Sequence, residues 1–527
     1  MNFKNNDANS MLYTLAAKVL KQASKKEGTV KSLCLQNGSD SKMKKNLYAL
    51  VCESLKYSDA IREIAHMSGF PKKEPQIGEW QGIVIIYDHL FGKKGLRCGG
   101  VYKQAIVRQK SALNTSLTKL KVKRRIKDNV ELIPESVRIA DLMPRYVRVN
   151  LIRMSVEEAM QTFQTEGFML VSSETNPAEL RSRQFYRDPH IDDVLAFAPK
   201  TDFHAHTLYL NGTIIQQDKA SCMPAKALNP PPGSTVIDGC AAPGNKTSHL
   251  ASIMGNKGTI FAFDKDARRL KTLVKLTGLA GASCIKARHQ SFLDVDPLDP
   301  TYADVEYILL DPSCSGSGIV SRLDQLIDND DDTMSQDYQE RLDNLRQFQE
   351  TVLLHAFTFP RVKRVSYSTC SIHEQENEVV VANVLAANEN FRLNTALPQW
   401  PRRGCPGLIT GRERGAECVV RVLQEMDFTN GFFVAVFERK PAGRIEDGYE
   451  TGSTKGQGTN IGVGRSSGGS ESAYTNEHGF VKQEETVEAQ TDNGATAVSI
   501  TKNAKKNLKR KINRKRKKAA AQPTDTV

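Results

Sequence analysis

Two short stretches place cysteines where chemistry is feasible. Residues 311–318 read DPSCSGSG and residues 366–371 read SYSTCS; in each, the cysteine stands where an apolar run turns polar. A thiolate is a strong nucleophile and a thiol can hold a proton, so Cys314 and Cys370 are both candidates for covalent catalysis. Simple packing is the bland alternative for a lone buried cysteine. It is weaker for Cys370, which follows a strand and is flanked by hydroxyls. Their residue types alone do not say which one attacks. The ten cysteines include no C-x-x-C pair, so the common zinc spacings are absent.

Two further stretches point to a nucleotide-like ligand. VIDGCAAPGNKTSHL (236–250) carries a buried strand to Asp238, then a loop of small residues, then a helix starting near Lys246 or Thr247. A doubly wound sheet binds such ligands there, at strand ends and against the free N–H groups of a helix start. The loop matches neither G-x-x-x-x-G-K-[ST] nor G-x-G-x-x-G, and on glycine content alone a structural turn explains it equally well. The next strand ends in FAFD, and a carboxylate at Asp264 can accept both hydrogen bonds of a ribose diol. Asp266 competes, but it falls past the strand end.

Asp311 closes the fourth strand on the same sheet edge. Methylation of an exocyclic base nitrogen usually calls for an aromatic side chain here, to stack on the base; this chain offers a thiol. Carbon 5 of a pyrimidine is a poor nucleophile and needs covalent activation. A thiolate adding at C6 makes C5 enamine-like, so that it takes a methyl group from a sulfonium donor. Loss of the C5 proton and elimination of the thiol then leave 5-methylcytosine.

The elements that must hold these residues alternate. Candidate strands STVID (234–238), GTIFAFD (258–264), SCIKAR (283–288), VEYILLD (305–311) and RVSYST (364–369) are separated by helical patterns. That order implies an α/β fold with a mostly parallel sheet covered on both faces over residues 206–440. CVVRVLQEMDFTNGFFVAVFER reads as two strands about Asn430-Gly431, a tight-turn pair or part of a wider hairpin. Upstream, YVRVN leads to Ser155 with Glu158 three residues on, a capping box, and the helix stops at Gly167. Residues 140–205 therefore read as a small α+β module suited to RNA. Residues 1–130 read as a helical domain, with Leu12, Ala16, Val19 and Leu20, then Leu47, Leu50, Val51 and Leu55, at helical spacing.

Charge adds a partner. Of the formal +13, eleven Lys and Arg lie between Lys502 and Lys518 with no acid among them, and KLKVKRRIK occupies 119–127. A polyanion is the expected partner, and the basic end reads as a nuclear or nucleolar address or a phosphate-binding arm. Residues 441–527, rich in Gly, Ser, Thr and Glu, read as disordered because they bury too little apolar surface. The N-terminus has no signal pattern and no apolar run approaches eighteen residues, which reads as an intracellular, soluble chain without a membrane. Asp328, Asp330 and Asp332 open like a calcium loop, but Thr333 and Gln339 stand where Gly and Glu are needed. His204 and His206 share a strand face without a further ligand nearby, so no metal is expected.

QDKASCMPAKAL (217–228), DGCAAPGNKTSHLAS (238–252), FAFDKDARRL (261–270), LLDPSCSGSG (309–318) and YSTCSIHEQENE (367–378) together resemble the Sun-domain family of RNA cytosine-C5 methyltransferases. The DPSCSGSG form is most similar to the branch acting on large-subunit ribosomal RNA. The resemblance implies a Rossmann-like methyltransferase sheet, S-adenosyl-L-methionine as donor, RNA as partner and a nucleolar location. It also implies that Cys370 is the nucleophile and that Cys314 serves product release. Cys240, Ala241, Ala242, Pro243, Gly244, Asn245 and Lys246 would hold the donor, with Asp264 on its ribose and Arg269 nearby. Asp311 would border both donor and base. Where the family carries an acid after the third strand, this chain has Arg288, His289, Gln290 and Ser291. The rival class is a non-catalytic ribosome-assembly factor that keeps the fold to bind RNA.

Overall fold

The computed structural model describes residues 2–441 apart from 94, 97, 320–325, 327–335 and 411–413. The tail with its basic segment and the Asp328–Asp332 spacing lie outside the described residues.

Helices Asn2–Ser24, Val30–Asn37, Ser41–Lys56, Ser58–Ser68, Glu79–Leu90 and Gly100–Arg124 bury one shared core. Ala16, Val19, Leu20, Leu47 and Val51 are fully buried in it, while Leu12 and Leu50 pack at its margin. The basic stretch supplies the last turns of Gly100–Arg124, where Lys123 and Arg124 reach Glu63 at 2.7 and 2.8 Å.

A five-stranded sheet follows: β1 Arg145–Val149, β2 Met169–Leu170, β3 Gln184–Arg187, β4 Val194–Phe197 and β5 Ile214–Gln216, in the order β2-β3-β4-β1-β5. Ser155 Oγ accepts from Glu158 N at 3.2 Å and Glu158 Oε2 accepts from Ser155 N at 2.9 Å, so the capping box starts helix Val156–Thr165. That helix lays Ala159 and Phe163 on the sheet, with Phe163 edge-on to Phe197 at 4.8 Å. β5 pairs with β1 and carries this sheet past residue 205, to Gln216. A three-residue strand behind the short helix Thr207–Leu210 leaves little periodicity to read.

The larger sheet comprises β6 Thr235–Asp238, β7 Thr259–Asp264, β8 Ile285–His289, β9 Tyr307–Leu310, β10 Arg364–Thr369, β11 Phe391–Asn394, β12 Val420–Val422 and β13 Phe432–Arg439. Its order is β11-β13-β10-β9-β6-β7-β8, with β12 on β13; β6 to β10 are parallel and β13 runs antiparallel to β10. Successive residues face opposite layers. Ile237, Ile308 and Leu310 pack with Val352 and Leu353 of helix Gln336–Phe357, whereas Val236 and Leu309 pack with Leu228 and Leu250 on the other side. Burial on both faces is why these strands read as unbroken apolar runs. β12 and β13 form the wide hairpin: Val422 opposes Phe432, and helix Gln424–Asp427 fills the connection. β11, too short to stand out in the sequence, pairs with β13 through Phe391 to Asn394. Because β6, β7, β9 and β10 are parallel, Asp238, Asp264, Asp311 and Cys370 all emerge at one edge.

Candidate active site

The loop after β6 is built for close approach. Gly239 has no room for a side chain, since a Cβ would lie 2.8 Å from Leu310 and 3.0 Å from Phe292. Gly244 turns at φ 106° to start helix Asn245–Ile253. Ala241 and Ala242 are buried between, and the Ala242–Pro243 bond is cis. Thr247 Oγ1 donates to Asp238 Oδ2 at 2.7 Å; burial nonetheless pushes the Asp238 carboxyl up to about 7. Burial also raises the Cys240 thiol.

Asp264 is buried at the end of β7, where Oδ2 accepts from Ala242 N at 3.2 Å and Oδ1 from Asp266 N at 2.8 Å. Arg269 Nη1 lies 3.6 Å from Asp264, and Arg269 also donates to the Ala242 carbonyl. Asp266 instead caps helix Ala267–Leu279, accepting from Arg268 N and Arg269 N. Past β8, His289 Nε2 sits 3.2 Å from the Lys265 carbonyl, and Ser291 joins Phe292 and Leu293 in lining a cavity.

That cavity, about 470 Å³, runs from Asp264 and Arg269 to Asp311, Cys314 and Cys370. Its volume suits a nucleoside-sized ligand. Asp311 is held on both oxygens: Lys246 Nζ donates to Oδ2 at 2.7 Å and Ser368 Oγ to Oδ1 at 2.7 Å. Lys246 also approaches Ser221 Oγ at 3.3 Å and lies over the Phe432 ring, so its ammonium turns from the loop toward Asp311. Cys314 Sγ and Cys370 Sγ are 3.1 Å apart, and neither is in a disulfide. The hydrogen bond to Cys370 and then burial raise the Cys314 pKa well above the ordinary thiol value, so Cys314 keeps its proton at neutral pH. The backbone at Cys370 is pinned by Gly318 N, which donates to its carbonyl at 2.9 Å. His373 is turned away, its Nε2 2.9 Å from Tyr338 OH. His204 and His206 pair with Asp202 and Glu166, each at 2.8 Å.

Comparison with known proteins follows the same division. Residues 225–438 match the profile described as 16S rRNA methyltransferase RsmB/F. Residues 143–217 and 45–133 match the ferredoxin-like and N-terminal domains of NOL1/NOP2/Sun domain family member 5. A 28S rRNA (cytosine-C(5))-methyltransferase of Mus musculus is 42% identical over 434 residues, covering 81% of this chain and 91% of its own. The chain belongs to the Sun-domain family of RNA cytosine-C5 methyltransferases. Another relative, the 25S rRNA (cytosine-C(5))-methyltransferase rcm1 of Schizosaccharomyces pombe, is 41% identical over 429 residues, 80% of this chain and 90% of its own. The crystal structure of PH0851 shares the fold, with a TM-score of 0.54 at 21% identity over 81% of this chain and 99% of that one. Among the described residues, no helix is long and apolar enough to cross a membrane and no cluster of His, Cys, Asp and Glu could hold a metal.

Ser368 and Gln349 carry no signal in the chain's motifs, and Glu376, close after Cys370 in the chain, has no role marked by its spacing. Ser368 sits one residue before the last of β10 and faces Asp311. Gln349 is a fully buried amide on a helix whose other inward positions are apolar, and only that mismatch in the pattern marks it.

Proposed function

We propose that this chain forms 5-methylcytosine in large-subunit rRNA, using S-adenosyl-L-methionine and a covalent adduct to Cys370. The observation that carries the reading is one cavity with a ribose-type carboxylate at one end and two contacting thiols beside a lysine-held carboxylate at the other. The named substrates of the mouse and yeast relatives support the RNA class.

The donor fits the residues present. Gly239, which a Cβ would block, and the buried Asp264 carboxylate make a cradle for a nucleoside, and Phe292, Leu293 and Phe348 offer its base an apolar wall. Bound there, S-adenosyl-L-methionine supplies an electrophilic methyl group. Asp311 accepts a hydrogen bond from the amino edge of the cytosine, while Lys246 holds a proton near it. Cys370 Sγ adds to C6, which raises electron density at C5. Once C5 carries the methyl group, a base takes its proton, the C–H electron pair re-forms the C5=C6 bond, and Cys370 leaves C6 as thiolate. Cys314, protonated and 3.1 Å away, donates a hydrogen bond to that leaving sulfur. The basic segment 502–518 fits a nucleolar address and an RNA-binding arm; deleting 502–527 should lower nuclear retention or RNA affinity and leave donor binding intact.

The test is adduct trapping on denaturing gels with wild type, Cys314→Ala and Cys370→Ala. Adducts that build up in Cys314→Ala and are missing from Cys370→Ala support the assignment. The reverse pattern would make Cys314 the nucleophile. No adduct and no methyl transfer in any form, with no donor affinity by calorimetry, would favour the RNA-binding assembly factor.

A further inference from the structure

We infer that Gln349, Glu376 and Tyr367 are positioning residues for Cys314, gripping the peptide groups on both sides of it so that its thiol stays against Cys370. The inference rests on the release role proposed above for Cys314. Gln349 Nε2 donates to the Ser313 carbonyl at 3.1 Å, and Glu376 Oε1 accepts from Ser315 N at 2.9 Å. The residue between those two backbone atoms is Cys314. The clamp is closed on itself: Gln349 Nε2 also donates to Glu376 Oε1 at 3.0 Å, and Tyr367 OH lies 2.6 Å from the Glu376 carbonyl and 3.2 Å from Gln349 Oε1. All three side chains are fully buried.

Such an arrangement is costly as mere packing. A buried carboxylate and amide lose their hydration, and Glu376 Oε2 has no hydrogen-bond partner among the described residues. Apolar side chains of the same volume would fill the space without that penalty. Gln349, from helix Gln336–Phe357, and Glu376, from the turn after β10, instead converge on the two peptide groups that flank one cysteine, and Tyr367 of β10 braces both. The two backbone contacts fall at Ser313 and Ser315, on either side of Cys314.

The experiment follows adduct formation and decay on denaturing gels, with the full chain, in-vitro-transcribed large-subunit rRNA and S-adenosyl-L-methionine. The variants are Tyr367→Phe and Gln349→Met, each alone and combined with Cys314→Ala; Tyr367→Phe removes one hydroxyl and is the milder test of folding. The expected result is an adduct that forms at the wild-type rate and decays roughly two- to tenfold more slowly, the range one hydrogen bond spans. On the Cys314→Ala background neither change should add to the accumulation, because the residue they position is gone. An unchanged adduct lifetime overturns the inference. So does a fall in adduct formation that tracks a lowered melting temperature, which marks a structural role only. If Cys314→Ala itself builds up no adduct while Cys370→Ala is inert, the release role fails and takes this inference with it, leaving Cys370 as nucleophile.

Discussion

Lys246 Nζ lies 2.7 Å from Asp311 Oδ2, which ties the first helical turn after the β6 loop to the end of β9. Burial works against the lysine's charge, but Asp311's charge and hydrogen bond outweigh it and raise the lysine's pKa, so the ammonium stays charged. Lys246→Met keeps the stem and removes the cation. Turnover is expected to fall about 10²–10³-fold, the usual cost of removing one preorganised donor. Donor affinity by calorimetry should stay within a few-fold, because the ammonium is turned away from the loop toward Asp311 and Ser221. A loss of affinity as large as the loss of turnover would assign Lys246 to the donor instead.

Gly318 threads between the backbone segments at Cys370 and Gly431. Its N–H donates to the Cys370 carbonyl at 2.9 Å, and its own carbonyl accepts from Gly431 N at 2.8 Å and from Gln424 Nε2 at 2.6 Å. A Cβ would lie 2.1 Å from the Gly431 carbonyl oxygen and 3.0 Å from that of Cys370. Backbone atoms cannot swing aside as a side chain can. Gly318→Ala should therefore cost about 1–3 kcal/mol of stability, as overpacking does. It should also displace Cys370, so that adduct formation slows more than donor affinity falls. Wild-type adduct kinetics in a folded Gly318→Ala protein would show that the close approach is dispensable.

Arg148 joins the small module to the catalytic sheet from a fully buried position on β1. Nε donates to Gln217 at 2.8 Å and Nη2 to Ser248 Oγ at 2.8 Å, on helix Asn245–Ile253 after the β6 loop. Beside it Asp193 and His249 lie 3.1 Å apart, also buried. Burial favours the neutral acid, yet His249 and Arg148 together draw the Asp193 carboxyl down to about 2. Arg148→Met removes the hydrogen bonds to Gln217 and Ser248 and one of the charges that draw Asp193 down, and chemical denaturation should register a loss of about 1.5–3 kcal/mol. A loss no larger than that of an exposed ion pair would mean the cluster contributes little.

The parallel strands β6, β7 and β9 were legible because burial on both faces leaves unbroken apolar runs, and the residues after them follow from that topology. Asp264, Asp311 and Cys370 could be put on one edge from spacing alone. β5 and β11 were not legible, since three or four residues that pair chiefly with one neighbour leave no periodic signal. The partners of Asp311 were hidden for another reason. Lys246 and Ser368 are sixty-five and fifty-seven residues from it in sequence and meet it only once the sheet is ordered. Spacing likewise could not bring Cys314 to 3.1 Å from Cys370, because the contact depends on Gly318 and on the buried polar groups behind Ser313 and Ser315.

Asp238 makes stability depend on pH in a direction opposite to most carboxylates. Burial is the main cause of its rise to about 7, opposed by the Thr247 hydrogen bond and assisted by the charge of Asp311. In the unfolded chain the same group titrates near the ordinary value of about 4. Between those two values the folded protein holds a proton that the unfolded chain has released, so stability falls as pH rises through the window and levels off above it. Asp238→Asn removes the titration and keeps an oxygen that can accept from Thr247. Urea midpoints measured from pH 4.5 to 8 should show wild type losing stability relative to Asp238→Asn as pH rises toward about 7, with the difference constant beyond. Parallel curves across the range would mean that the carboxyl is ionised throughout and that the loop, not the proton, accommodates its burial.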